Sequence, residues 1–232
     1  MIIPCIDLQD GKVVQLIQGR KKALEGAPPL EMLERFKGFP VIQVIDLDAA
    51  MGKGLNLEIV RELASRARTR VGGGVRTAAR ARELVDAGAE RVIVGTAAFS
   101  GNAINEDLLN EIDRAVGREK VLLALDSRHG KIVVKGWSEA VDLTAEQVIR
   151  RLEPFCGGFL CTYVDKEGML EGTDLAWYRR LRQATNHEIT AAGGITTLEE
   201  IEELTRMNIH AALGMAIYTG RLDLEKLAKL NA

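Results

Sequence analysis

Two carboxylates stand out because of where they fall. In "IIPCIDLQDGKVV" an apolar run stops at Asp7, a turn-like Gln9, Asp10 and Gly11 follows, and apolar residues resume. In "VLLALDSRHGKIVV" the pattern returns 119 residues later, with Asp126 in the place of Asp7, Gly130 for Gly11 and Lys131 for Lys12. A carboxylate at the end of a buried strand is partly desolvated, so its pKa can be tuned, and two of them can be held in opposite protonation states as base and acid. The alternative for each is structural, a carboxylate capping the hairpin that follows through a backbone N–H near Gly11 or Gly130.

Glycine strings supply the second kind of chemistry. Gly193 and Gly194 are followed by Thr196 and Thr197 at a helix start, and Gly214 and Met215 precede another helix pattern. Exposed backbone N–H groups at a strand-to-helix turn, reinforced by the positive end of the helix, suit phosphate. Gly73, Gly74, Gly95 and Thr96 form a second set at offsets of 119 to 120 residues. Two such sets imply a substrate carrying a phosphate at each end. Taken singly, each glycine string has the alternative role of permitting a tight turn. Trp137, in the polar stretch "KGWSE", can stack on a flat ligand ring, whereas Trp177, in the helix-period stretch "DLAWYRRL", reads as packing.

The elements that must carry these residues are legible in the hydrophobic pattern. Eight short β-branched runs, around residues 2–7, 41–46, 69–72, 91–94, 121–125, 158–164, 188–191 and 209–213, alternate with helix-period segments such as Leu57, Val60 and Leu63 or Leu198, Ile201 and Leu204. Eight βα units predict an α/β fold, a (β/α)8 TIM barrel, over an open doubly wound sheet. The repeat extends to Asp46 with Asp165, Gly74 with Gly194 and Gly95 with Gly214. It predicts one barrel domain over 1–232 built from two half-barrels, about 1–119 and 120–232, with Asp7 and Asp126 across one mouth. The polar segment 18–29 is expected to be a long loop at that mouth, able to act as a lid.

Composition narrows the function classes. With 31 Lys+Arg against 33 Asp+Glu, nothing points to nucleic acid. No apolar stretch approaches the roughly 20 residues that cross a bilayer, so no membrane partner is expected. Cys5, Cys156 and Cys161 show no CxxC spacing, and a reduced cytoplasm is the expected setting. His129, His187 and His210 are scattered, and no GxSxG, GxxxxGK[ST] or GxGxxG string occurs. The expectation is therefore a monomer that works without metal or other cofactor on a bisphosphorylated small molecule.

Together, "IIPCIDLQDGKVV", "VGGGVRT", "VIVGTAAF", "LALDSRHGKIVVKGW" and "AAGGITT" resemble one family over nearly the whole chain. This is the HisA family, the isomerase of histidine biosynthesis acting on phosphoribosylformimino-aminoimidazole carboxamide ribotide. The related cyclase subunit of imidazole-glycerol-phosphate synthase shares the repeat and the Asp pair, but "KGW" and Gln18-Gly19 are more like the isomerase. The resemblance implies an Amadori rearrangement of an aminoaldose to an aminoketose. It implies Asp7 as base, Asp126 as acid or orienting partner, Glu167 as acid, Thr162 as a hydroxyl near the reacting sugar and Trp137 as a stacking lid. It also implies Gly19, Gln43, Gly73, Gly74, Arg76, Gly95, Thr96, Gly193, Gly194, Gly214 and Met215 as substrate-binding.

Four positions depart from the family's pattern. Glu167-Gly168-Met169 stands where Asp-Gly-Thr is usual, Gln43 where a His is usual, and Gln15 where an Arg is usual. Two alternatives to the isomerase therefore remain: an enzyme that also accepts phosphoribosylanthranilate, and a phosphosugar-binding barrel without catalysis.

Overall fold

Runs rich in Val, Ile and Leu on both faces of the chain become strands that must be covered on both sides. The computed structural model, which describes residues 1–19 and 21–231, has eight parallel strands of this kind. They are β1 (Ile2–Gln9), β2 (Ile42–Asp46), β3 (Thr69–Gly72), β4 (Arg91–Val94), β5 (Val121–Ala124), β6 (Gly158–Thr162), β7 (Glu188–Ala192) and β8 (His210–Leu213). Each pairs with its sequence neighbours, and β8 returns to β1 in the register Ile2↔Ala211, Ile3↔Ala212 and Pro4↔Leu213, so the sheet closes. The fold is a TIM barrel, as the alternation of patterns predicts. In a ring of eight, β1 and β5 lie on opposite sides.

A helix follows each strand: α1 (Pro29–Arg35), α2 (Leu57–Arg66), α3 (Ala78–Asp86), α4 (Glu106–Val116), α5 (Ala145–Leu152), α6 (Leu175–Ala184), α7 (Leu198–Arg206) and α8 (Leu224–Lys229). Side-chain oxygens of Thr77, Asn105, Thr144, Asp174, Thr197 and Asp223 cap six of them, satisfying amides that the first helical turn leaves unpaired. The apolar faces of the helices pack on the outside of the barrel, with Val60, Leu63, Leu84, Ile112, Val148, Leu181 and Leu204 all fully buried. Trp177 belongs to this layer at 3% exposure, which bears out its reading as packing.

Inside the barrel the residues form layers. At the floor, buried Arg70 pairs with Glu188 at 2.8 Å and donates to Thr190 at 3.0 Å. Above it lies a small apolar layer of Cys5, Ile93, Leu122, Ala124, Leu160 and Ala212. This plug closes the barrel from below and leaves the C-terminal ends of the strands facing an open mouth.

The segment 18–29 departs from the expectation of a loop. Lys12–Ile17 folds back on β1, with Val14 opposite Asp7, and Lys21–Glu25 then pairs antiparallel with Lys12–Ile17. Alternation in the polar stretch is weak, and the sheet edge supplied by the first hairpin gives it hydrogen-bonding partners that its own sequence does not announce. Arg20 lies outside the described residues.

Candidate active site

The strand ends open into a cavity of about 910 Å³. Asp7 reaches it from β1, Asp126 from the residues just past β5, and Glu167 from the loop after β6. Gly19, Gln43, Gly73, Gly74, Arg76, Gly95, Thr96, Trp137, Thr162, Gly193, Gly194, Gly214 and Met215 line the same cavity. The fold thus brings together every site residue singled out from the sequence.

The hairpins after β1 and β5 turn on Asp10-Gly11 and His129-Gly130, all four with positive φ (51°, 73°, 49° and 78°), the arrangement that suits tight hairpins. Neither Asp7 nor Asp126 caps its hairpin. The N–H of Asp10 donates to Asp48 at 2.6 Å, that of Gly11 to Asn56 at 3.1 Å, and that of His129 to Asp165 at 2.8 Å. Both strand-end carboxyls are therefore free for other work.

Asp7 accepts from the Gln15 amide at 3.4 Å, and Asp126 from the Trp137 indole at 2.8 Å. Desolvation pushes the Asp7 carboxyl up to about 7. Glu167 is pushed up to about 8, by desolvation first and then by the negative charges of Asp7 and Asp126. Asp126 is also raised by desolvation, with the Thr162 hydroxyl and the Trp137 indole pulling it back. No cation enters the balance at any of the three. Carboxyls desolvated to this degree ionise only in part near neutrality, so one mouth can hold both a proton donor and a proton acceptor.

Glu167 owes its position to the hairpin of β1. Its carbonyl accepts from the Gln18 N–H at 3.2 Å. Gly168 packs so tightly that a Cβ there would come within 2.7 Å of the Leu16 carbonyl oxygen. Met169 is 40% exposed and does not line the cavity, whereas its neighbour Leu170 does.

The glycine loops form two cradles. Gly73 and Gly74 have φ of 104° and 68°, and Gly193 and Gly194 of 96° and 79°. Side chains could not replace them, since a Cβ on Gly73 would collide with the Asp46 carbonyl and one on Gly193 with that of Tyr163. Gly95 (φ −102°, ψ −111°) and Gly214 (φ −115°, ψ −101°) also match. Among the described residues, the N–H groups of Gly73, Gly74, Gly193 and Gly194 meet no protein acceptor and can receive an anion. The cradles differ beneath. Glu200 accepts the N–H groups of Thr196 at 2.9 Å and Thr197 at 3.1 Å, so those amides are already taken. Arg80 holds the corresponding place in α3.

Several residues of the site escaped the sequence reading. Lys53 and Lys135 line the mouth. Asn56 donates to both Asp46 and Asp48 at 2.8 Å while accepting from Gly11 at 3.1 Å, locking the first hairpin to the loop after β2. An Asn ahead of a helix suggests only a cap, so its spacing gave no sign of this. Arg76 donates to the carbonyls of Ala49 and Ala50, which steadies the same loop.

A closed parallel barrel with three carboxyls between two amide cradles at its mouth defines the class, a (β/α)8-barrel protein. The chain belongs to the histidine biosynthesis protein family, which matches residues 1–223. It is 39% identical over 237 residues to the 1-(5-phosphoribosyl)-5-((5-phosphoribosylamino)methylideneamino)imidazole-4-carboxamide isomerase of Methanocaldococcus jannaschii, covering 99% of this chain and 98% of that protein. Proteins of the same name from Myxococcus xanthus (38%, covering 98% and 97%) and Methanothermococcus thermolithotrophicus (34%, covering 99% and 98%) are similar over their whole lengths.

Proposed function

We propose that the protein is an intramolecular aldose–ketose isomerase. It converts the phosphoribosylamine of phosphoribosylformimino-aminoimidazole carboxamide ribotide to the phosphoribulosyl form by an Amadori rearrangement. The observation that carries this reading is the set Asp7, Asp126 and Glu167, raised in pKa and standing between two cradles of unpaired amides. The names of the relatives supply the substrate.

In this reading neutral Glu167 gives its proton to the ribose ring oxygen as the ring C–O bond breaks, leaving a protonated Schiff base. Ionised Asp7 then removes the proton from the sugar's second carbon, and the electron pair moves into the C–N system to form an enolamine. Protonation of the first carbon and loss of the hydroxyl proton give the aminoketose. Asp126, held by Trp137 and Thr162, orients the sugar, and the two cradles take the two phosphates. The matching dihedrals of the paired glycines support a single barrel domain made of two half-barrels. Three free buried cysteines support a reducing cytoplasm.

The test is a steady-state assay with two aminoaldoses, the imidazole carboxamide ribotide and phosphoribosylanthranilate. Turnover of the first is expected. Turnover of neither, by folded protein, would leave only a phosphosugar-binding barrel.

A further inference from the structure

Gln15 has no part in the reaction as drawn, yet it is only 3% exposed and its amide lies between two parts of the site. Nε2 donates to Oδ2 of Asp7 at 3.4 Å and to the Val14 carbonyl at 3.0 Å. On its other side, Oε1 packs so closely on the Gly214 loop that a Cβ on Gly214 would lie 2.5 Å from it. Among the described residues no other side chain or amide donates to Asp7. The strand carrying Gln15 shifts register between Gln15 and Leu16, and irregularities of this kind re-aim a side chain beside a site.

From this arrangement we infer that Gln15 is the positioning residue for Asp7. It fixes the carboxyl through Oδ2, leaves Oδ1 free to take the sugar proton, and ties that geometry to the Gly214 loop. Naming Asp7 as the base rests on the isomerase reading; the Gln15 contact does not.

The choice of an amide has a chemical consequence. The titratable groups around Asp7 are Glu167 from the loop after β6, the Cys5 thiol from β1, and the Tyr218 hydroxyl from the short helix Met215–Tyr218. None is a cation. A guanidinium at position 15 would hold the carboxylate ionised and make it a weaker base, whereas an amide orients it with little of that cost.

Two variants test this. Gln15→Leu removes the donor at similar size, and Gln15→Arg adds a charge. Carboxyl 13C titration of Asp7 in the folded protein needs no turnover. Relative to wild type, the midpoint should rise in Gln15→Leu and fall in Gln15→Arg, each by about one pH unit. With the aminoaldose substrate, Gln15→Leu should lower kcat about ten- to a hundredfold, with KM within about threefold and the acid limb following the midpoint. In Gln15→Leu a merely structural Gln15 would move neither midpoint nor limb. An unchanged midpoint in both variants overturns the inference. Should Gln15→Leu fail to fold, Gln15→Arg decides alone, since an unshifted midpoint there overturns it equally. An inactive wild type would overturn the isomerase reading and leave the titration to judge Gln15.

Discussion

The indole Nε1 of Trp137 donates to Oδ2 of Asp126 at 2.8 Å, and its ring lies against Gly19, where a Cβ would come within 2.8 Å of it. Trp137 itself has φ of 65°, following Lys135 and Gly136 at 52° and 64°. Three successive left-handed residues turn the chain so that the indole points inward. Trp137→Phe keeps the ring and loses the bond, so Asp126 should titrate higher and kcat fall about tenfold with KM nearly unchanged. Separate measurement of kcat and KM checks this. A loss confined to KM would mean that stacking alone matters.

The pH profile of kcat/KM should be a narrow bell. Asp7 must be ionised and is pushed up to about 7, so activity falls as pH drops through that value. Glu167 must be protonated and is pushed up to about 8, so activity falls as pH rises beyond it. The limbs belong to the coupled group rather than to single residues. A profile flat from pH 5 to 10 on a scale of about tenfold would contradict the assignment of acid and base.

Replacing these carboxyls should separate activity from stability. Asp7→Asn is expected to cost about 10³-fold in kcat with substrate affinity within about tenfold, and Glu167→Gln about 10²-fold. Both residues have raised pKa values in the fold, so ionising them disfavours the folded state. Their stabilising contribution is complete below about pH 4, the unfolded carboxyl range, and is lost as pH rises through 7 to 8. The amide variants should therefore melt near wild type at pH 4 and above it at pH 9. Thermal melts at the two pH values make the comparison, and equal shifts at both would argue against buried ionisation.

Phosphate at saturating concentration should occupy both the Gly73/Gly95 and the Gly193/Gly214 cradles of one molecule, because both present unpaired amides. A crystal structure in phosphate reads the occupancy directly. One filled cradle and one bare one would argue against a bisphosphorylated substrate.

Asn56→Ala should loosen the mouth from outside it. The variant takes one donor each from Asp46, which is 0% exposed and keeps the N–H groups of Ala49 and of residue 56, and from Asp48, which keeps that of Asp10, and it leaves the Gly11 N–H without its acceptor. A loss of about 1–3 kcal/mol is expected from unpaired buried groups. Denaturant unfolding measures it, and hydrogen exchange should rise first at Asp10 and Gly11.

Strand and helix placement was legible in the residues because the physics there is local. Val–Ile runs buried on both faces allow little but parallel strands, and the starts at Ile2, Thr69, Arg91, Val121, Gly158 and Glu188 fall where the pattern puts them. Glycine spacing marked the cradles, since positive φ and close backbone approach at Gly73 and Gly193 admit no other residue. The strand-end carboxyls were legible for the same reason, as charge has no business ending an apolar run unless it is used.

What the sequence left open was decided by distance across the barrel. Lys21–Glu25 is a strand only because the first hairpin offers it an edge. Glu200 takes the amides of Thr196 and Thr197, while Arg80 stands at the equivalent place in the other half, and spacing alone does not separate the two outcomes. Glu167 comes near Asp7 because Gly168 lets its loop close on the backbone of Leu16. The raised pKa values follow first from desolvation in the closed mouth and, at Glu167, from the nearby charges of Asp7 and Asp126, both properties of folded geometry. Residue type gave each group its chemistry, and the closure of β8 on β1 determined which groups share one desolvated mouth.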